Sequence, residues 1–200
     1  MSKPILISLF DQSGSWSNPY RNAGYDIIQI DLQLGTDVFS WDYSQIDRNQ
    51  VVGILAAPPC TEFAALGAKW WKKKDPKLLA ESIKLVDKTL EIICHFSQGQ
   101  QFKFWVIENP VGRLDKCIPA LKGKRLLSFQ PCEFGDPYTK RTILWGHFSP
   151  WLVRNHRKPV MGSKMHRLYG GKSERTKRLR SITPSGFADA FFQANNPAKL

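Results

Sequence analysis

The sequence lacks paired cysteines, long apolar runs and an even balance of charge. Its four cysteines, Cys60, Cys94, Cys117 and Cys132, show no CxxC or other paired spacing. That argues against a zinc site or a disulfide framework and suits reduced thiols in a cytoplasm. No stretch approaches the roughly 20 apolar residues of a membrane span, and the N-terminus has no signal-peptide pattern. A soluble, cytoplasmic protein without a metal site is expected. No internal repeat and no GxGxxG loop occurs. Acidic residues are scarce, with 17 Asp and Glu against 29 Lys and Arg, for a net charge of +12.

Two hundred residues with 42% hydrophobic content and seven tryptophans are enough for one core and one domain. The positive charge is concentrated at one end. From Trp151 to Leu200 eleven Lys or Arg stand against Glu174 and Asp189, a net of +9. Such a field gathers a polyanion at the surface, although a solvated basic tail would have the same composition.

Two segments carry the chemistry. Val51 to Cys60, VVGILAAPPC, is an apolar run ended by two prolines and a thiol. It predicts a buried parallel strand stopped at its carboxyl end, where such sheets place their sites. Phe102 to Ile107, FKFWVI, followed by Glu108-Asn109-Pro110, repeats the pattern. Parallel strands would bring Cys60 and Glu108 to one edge, where a thiol beside a carboxyl suits nucleophilic attack assisted by a proton donor. A lone cysteine in a turn is also compatible with an inert thiol.

The remaining chain supplies the frame. Pro4 to Phe10 reads as a strand, Asp11 to Ser17 (DQSGSWS) as a small-residue loop, and Asn18 as the cap of a helix with Pro19 in its first turn and Gly24 at its end. Tyr25 to Leu32 is a second strand closing on Asp31, completing the first half of a nucleotide-binding βαβ unit. Asp37 follows in GTDV as a second carboxylate, or as an ordinary turn residue. Lys72 and Lys73 lie beside Trp70 and Trp71, which reads either as a stacking surface for a nucleic acid or as a core aromatic pair beside a solvated lysine run. Leu78 to Phe96 has helical apolar spacing. Leu126 to Phe134 and Thr142 to Trp145 are further strands, joined by a turn carrying Lys140 and Arg141. Residues 146–180 read as an extended or partner-ordered basic segment, and Thr183 as the cap of a last helix with Phe187, Ala190 and Phe191 on its apolar face.

These motifs in this order resemble the cytosine-C5 DNA methyltransferases, particularly the small bacteriophage type. The residues concerned are SLFDQSGSWS, Asp31, TDV ending at Val38, PPC at 58–60, ENP at 108–110, FGDPYTKRT at 134–142 and TPSGFADAF at 183–191. The resemblance implies a Rossmann-like α/β fold, with a mostly parallel sheet and helices on both faces. It divides the chain into a catalytic core over 1–145, a basic DNA-binding segment over 146–180 in place of a full recognition domain, and a C-terminal helix over 181–200. It implies S-adenosylmethionine as cofactor, held by Phe10, Ser13, Gly14 and Ser15 on the sulfonium side, Asp31 at the ribose, Asp37, Leu32 and Val38 around the adenine, and Pro59 beneath. Cys60 would add to C6 of a flipped cytosine, Glu108 would act at N3, and Arg141 would touch the base or its phosphate. Lys72, Lys73, Lys140, Arg175, Lys177, Arg178 and Arg180 would bind the nucleic acid. The implied setting is a monomer acting on double-stranded DNA in a bacterial or phage-infected cytoplasm, with short or relaxed specificity. The chain departs from the pattern at Ser8 and Gln12 in the cofactor loop and at Tyr138, Thr139 and Ile143 around Lys140-Arg141. An RNA methyltransferase and a DNA-binding protein that has lost the reaction are the alternatives.

Overall fold

A computed structural model describes residues 3–164 and 173–200. Among these, the strands are β1 (Ile5–Leu9), β2 (Asp26–Ile30), β3 (Val51–Ala56), β4 (Phe104–Pro110), β5 (Arg125–Phe129) and β6 (Thr142–His147). They form one sheet in the order β2-β1-β3-β4-β6-β5. β1, β2, β3 and β4 are mutually parallel, and β6 runs antiparallel to both β4 and β5. Five strands therefore share one direction and β6 alone opposes them, giving a mixed α/β fold with a mostly parallel sheet.

Side-chain alternation along the strands creates two apolar layers. Ile7, Leu9, Ile54 and Ile107 face helix α2 (Pro76–Phe96), which turns Val86, Ile92, Ile93 and Phe96 toward them. Asp75 starts α2 by accepting a hydrogen bond from the Lys77 N–H, with Pro76 in the first turn. On the other face, Leu6, Leu55, Val106 and Leu144 meet Tyr20 of helix α1 (Asn18–Asn22) and Phe187 and Phe191 of the C-terminal helix (Ser185–Ala194). Phe187 stacks on Phe129 at 4.1 Å. Helices thus cover both faces, and the C-terminal helix buries Phe187, Ala188, Ala190 and Phe191.

Several local expectations change. Asn18 is not the cap of α1: Ser17 occupies that position, and its hydroxyl is used elsewhere. Thr183 does not cap the last helix either, since Pro184 holds the N-cap position without a side-chain bond. The strand expected over 126–134 stops at Phe129, because Pro131 cannot donate to a ladder and Pro131–Glu133 turns as a 3-10 helix. The basic segment divides in two. One part is an irregular strip that places Phe148 and Leu152 in the core and then bonds by its backbone to residues 132–139, through Asn155 to Glu133, Arg157 to Cys132 and Met161 to Pro137. The other is a helix over Glu174–Ser181. Residues 165–172 lie outside the described residues.

In chain order, the remaining helices are α3 (Leu114–Cys117), α4 (Glu174–Ser181) and α5 (Ser185–Ala194). The carboxyl ends of β1 to β4 and the amino end of β6 share one edge of the sheet. Phe10, Asp31, Cys60, Glu108 and Lys140 all stand at this edge.

Candidate active site

The two proline-ended strands are tied together directly. Asn109, fully buried, donates through Nδ2 to the Pro58 carbonyl at 2.9 Å. Beyond the thiol the chain turns tightly, with the Phe63 and Ala64 amides donating to the Cys60 carbonyl at 3.0 and 2.9 Å. This turn is sewn to the loop after Glu108. Ala65 donates to Val111 at 2.8 Å, Arg113 to the Phe63 carbonyl at 2.9 Å, and the Arg113 Nε to the Glu62 carbonyl at 2.9 Å. Gly112 makes this approach possible, because a Cβ there would lie 1.8 Å from the Phe63 oxygen. Gly112→Ala should therefore destabilise the fold by about 1–3 kcal/mol in denaturant titration and displace the Cys60 turn from Glu108.

Cys60 is half-buried, and burial is the main influence on its thiol, pushing it above its ordinary value. Lys140 draws it back down, Glu108 raises it again, and Arg180 lowers it. Lys140 Nζ lies 3.5 Å from Glu108 Oε1, with the two side chains 10% and 15% exposed. The site is thus a thiol and a carboxylate at one sheet edge, with Lys140 paired to the carboxylate.

Arg141, expected at the base, is turned elsewhere. It is exposed, with Nε 3.5 Å from Ser128 Oγ toward β5. Adjacent residues on an extended segment point to opposite sides, so Lys140 takes the site and Arg141 leaves it. Arg180, expected among the phosphate contacts of the basic segment, is half-buried at the end of α4, and its charge is one of the weaker influences lowering the Cys60 thiol. Arg175, Lys177 and Arg178 are exposed on α4, Lys177 being paired with Glu174 at 2.6 Å. Lys72 and Lys73 are exposed at the end of the 3-10 segment Ala65–Lys73, where Lys73 lies 5.7 Å from the Trp70 ring.

The loop after β1 is organised by Asp11, whose role the sequence did not reveal. Its carboxylate, 6% exposed, accepts from Ser8 Oγ at 2.9 Å, Ser17 Oγ at 3.1 Å and Ser13 Oγ at 3.2 Å. Phe10 is held at φ +59°, a conformation that is rare and strained for a bulky residue. Gly14, at φ +66°, sits over the Gln29 side chain, where a Cβ would meet Nε2 at 3.1 Å. The Ser15 amide donates to Ser13 Oγ at 3.2 Å. Asp31 ends β2 and accepts from the Gln33 amide with Oδ1 at 2.8 Å, while Leu32 beside it is 69% exposed. Asp37 accepts from the Phe39 amide at 3.0 Å and is exposed, as is Pro59. Val38 departs from expectation, since at 4% exposure it belongs to the core layer beneath the loop and presents no open face to a ligand. Asp11→Ala would strand the buried Ser8 hydroxyl and leave Ser17 Oγ with only its bond to the Gly14 carbonyl at 3.2 Å. A loss of about 2 kcal/mol in stability is expected, with weakening of any ligand that binds this loop, measurable by denaturation and calorimetry.

Lys164 and Asn109 are the other residues of this region that the sequence reading left unassigned. Among the described residues, no group of three or more His, Cys, Asp or Glu is placed to hold a metal ion, and no helix is long and apolar enough to cross a membrane.

The chain matches no family profile and no curated protein. It is similar to the solved structure of a methyltransferase of Entamoeba histolytica, EhMeth, at 16% identity and a TM-score of 0.46. That likeness covers 80% of this chain and 59% of the other, so the chain spans less than two thirds of EhMeth.

Proposed function

We propose that this chain is an S-adenosylmethionine-dependent methyltransferase of Rossmann-like fold that modifies C5 of cytosine in DNA. The observation that carries the reading is the bond from Asn109, next to Glu108, to the Pro58 carbonyl two residues before Cys60, with Lys140 paired to Glu108 at the same sheet edge. The cofactor crevice is the gap between β1 and β3, where the direction of strand addition reverses. The residues there suit the cofactor: a close backbone approach at Gly14, a carboxylate at Asp31 with Oδ2 available to ribose hydroxyls, and the exposed apolar surface of Leu32 for an adenine face. When bound, S-adenosylmethionine supplies an electrophilic methyl group.

Pyrimidine C5 is too weak a nucleophile to take that group unaided. The Cys60 thiol gives its proton to the Glu108 carboxylate as its sulfur bonds to C6, and Glu108 passes that proton to N3, so the electrons of the C5–C6 double bond become available at C5 as an enamine. After methylation, water takes the C5 proton, the returning electrons expel the Cys60 thiolate, and the N3 proton goes back to Glu108, restoring aromaticity. Division into addition and elimination lowers the barrier of each step. Lys140 balances charge on Glu108, and Lys140 and Arg180 both favour the thiolate. The base must leave its stack to reach a half-buried thiol.

Partner choice rests on charge. Arg175, Lys177 and Arg178 project from α4, and Lys72 and Lys73 flank the thiol loop. Neutralising the three on α4 should weaken binding to all sequences alike and reduce the salt slope by about one unit per lost phosphate contact. An unchanged slope would make α4 a solvated helix. The test of the reading is cofactor binding by calorimetry together with methyl transfer to matched DNA and RNA oligonucleotides. Faster transfer to RNA would move the substrate to RNA. Nucleic-acid binding without cofactor binding would make the chain a binding protein.

A further inference from the structure

Lys164 is a charged side chain buried as deeply as the apolar core, at 3% exposure. Its ammonium donates to the Ile182 carbonyl at 2.9 Å and lies 5.0 Å from the centre of the Tyr138 ring. Its backbone is fastened to the catalytic turn, since Lys164 N donates to the Thr139 carbonyl and Thr139 N to the Gly162 carbonyl, both at 2.9 Å. Thr139 precedes Lys140, the cation on Glu108. Ile182 is the C-cap of α4 and follows Arg180 by two residues. One side chain therefore joins the turn that presents Lys140 to the end of the helix that presents Arg180.

The helix depends on such a joint. α4 contains no buried residue, so burial of an apolar face does not fix its position. Lys164 is a costly anchor. Burial and the nearby Lys140 push its amine down to about 8, against the opposing influence of Asp136 and Glu108. A methionine of similar length would fill the volume without that cost, so the charge and its donors serve a purpose other than packing.

We propose that Lys164 is a positioning residue that fastens α4, and with it Arg180, to the Tyr138–Lys140 turn, joining the nucleic-acid surface of α4 to the turn that carries Lys140. This rests on the reading of Cys60 as the nucleophile and α4 as a nucleic-acid surface. The test is the pH dependence of Cys60 alkylation by iodoacetamide in the full chain, read by peptide mass spectrometry so that Cys94, Cys117 and Cys132 are scored apart. Wild type, Lys164→Met, Arg180→Gln and the double variant form a cycle. Removal of Arg180 should slow alkylation at fixed pH by about threefold or more, and Lys164→Met should do the same. The double variant should be no slower than Arg180→Gln alone, because both changes remove the same influence. Lys164→Arg should restore the rate. Additive slowing, or an unchanged profile in Lys164→Met, overturns the proposal. If Lys164→Met does not fold, Tyr138→Leu, which removes the ring beneath the ammonium, replaces it in the cycle with the same criteria. The underlying reading fails separately: methyl transfer that survives Cys60→Ala, or none in wild type, rejects the nucleophile, whereas additive slowing in a Cys60-dependent enzyme rejects only the role of Lys164.

Discussion

Cys60→Ala should abolish methyl transfer, lowering the single-turnover rate by about 10⁴-fold or more, equivalent to ~5.5 kcal/mol in the barrier. The loss is large because the thiol is the only source of the C5 carbanion character that the reaction needs; alanine leaves the cofactor and base side by side with no bond forming between them. S-adenosylmethionine affinity should remain within about twofold, since the cofactor loop is held by Asp11 and its serines and Cys60 takes no part in that network. The wild-type rate should also have a characteristic pH dependence. Burial keeps the thiol above its ordinary value, so at neutral pH only a small fraction is thiolate. That fraction rises with pH, and kcat/KM should climb with pH through the neutral range and level off only above the ordinary range of a thiol. A flat profile would mean that proton removal is coupled to base binding and is not set by the resting thiol.

Glu108→Gln should separate thiol reactivity from turnover. Methyl transfer should fall by about 10²–10⁴-fold, because glutamine fits the space but cannot deliver a proton to N3 in the addition step. Alkylation of Cys60 should become faster, because the Glu108 charge that holds the thiol up is gone while Lys140 and Arg180 remain. A more reactive thiol in a nearly inactive enzyme is a combination that simple unfolding does not produce. Nucleic-acid affinity should hold or rise slightly with one negative charge removed from a basic surface. Parallel assays of iodoacetamide modification and labelled methyl transfer give both results from one preparation, and a variant with full activity would remove Glu108 from the mechanism.

The strands were legible because the signal is local, although their ends were not: the strand expected over 102–107 runs through Glu108 and Asn109 to Pro110, paired with β6. An apolar run, a proline stop and a chemically distinctive residue lie within ten positions in Val51–Cys60, and the same holds for Phe102–Pro110. The faces of the helices were legible for the same reason, as in the periodic apolar positions of α2 and the Phe187–Phe191 stripe of α5. What escaped depends on contacts between distant residues or on a one-residue choice of face. Asp11 looked like one polar residue in a loop, and its importance comes from Ser8 on the strand and Ser17 at the helix start converging on it. Lys164 lies in a basic stretch that composition marks as exposed, and only pairing of that stretch with residues 138–140 buries it. Arg141 was expected at the site and Lys140 among the nucleic-acid contacts, yet Lys140 is the one paired with Glu108 while Arg141 reaches Ser128. Asn18 and Thr183 are good capping residues by type that each lie one position from the cap the fold uses.

The most direct measurement is transfer of labelled methyl from S-adenosylmethionine to unmodified duplex DNA by wild type and Cys60→Ala, followed by mapping of the labelled atom. The account predicts label on C5 of cytosine from wild type and none from the variant. Label on a ring or exocyclic nitrogen, or on C5 in spite of the missing thiol, would contradict it.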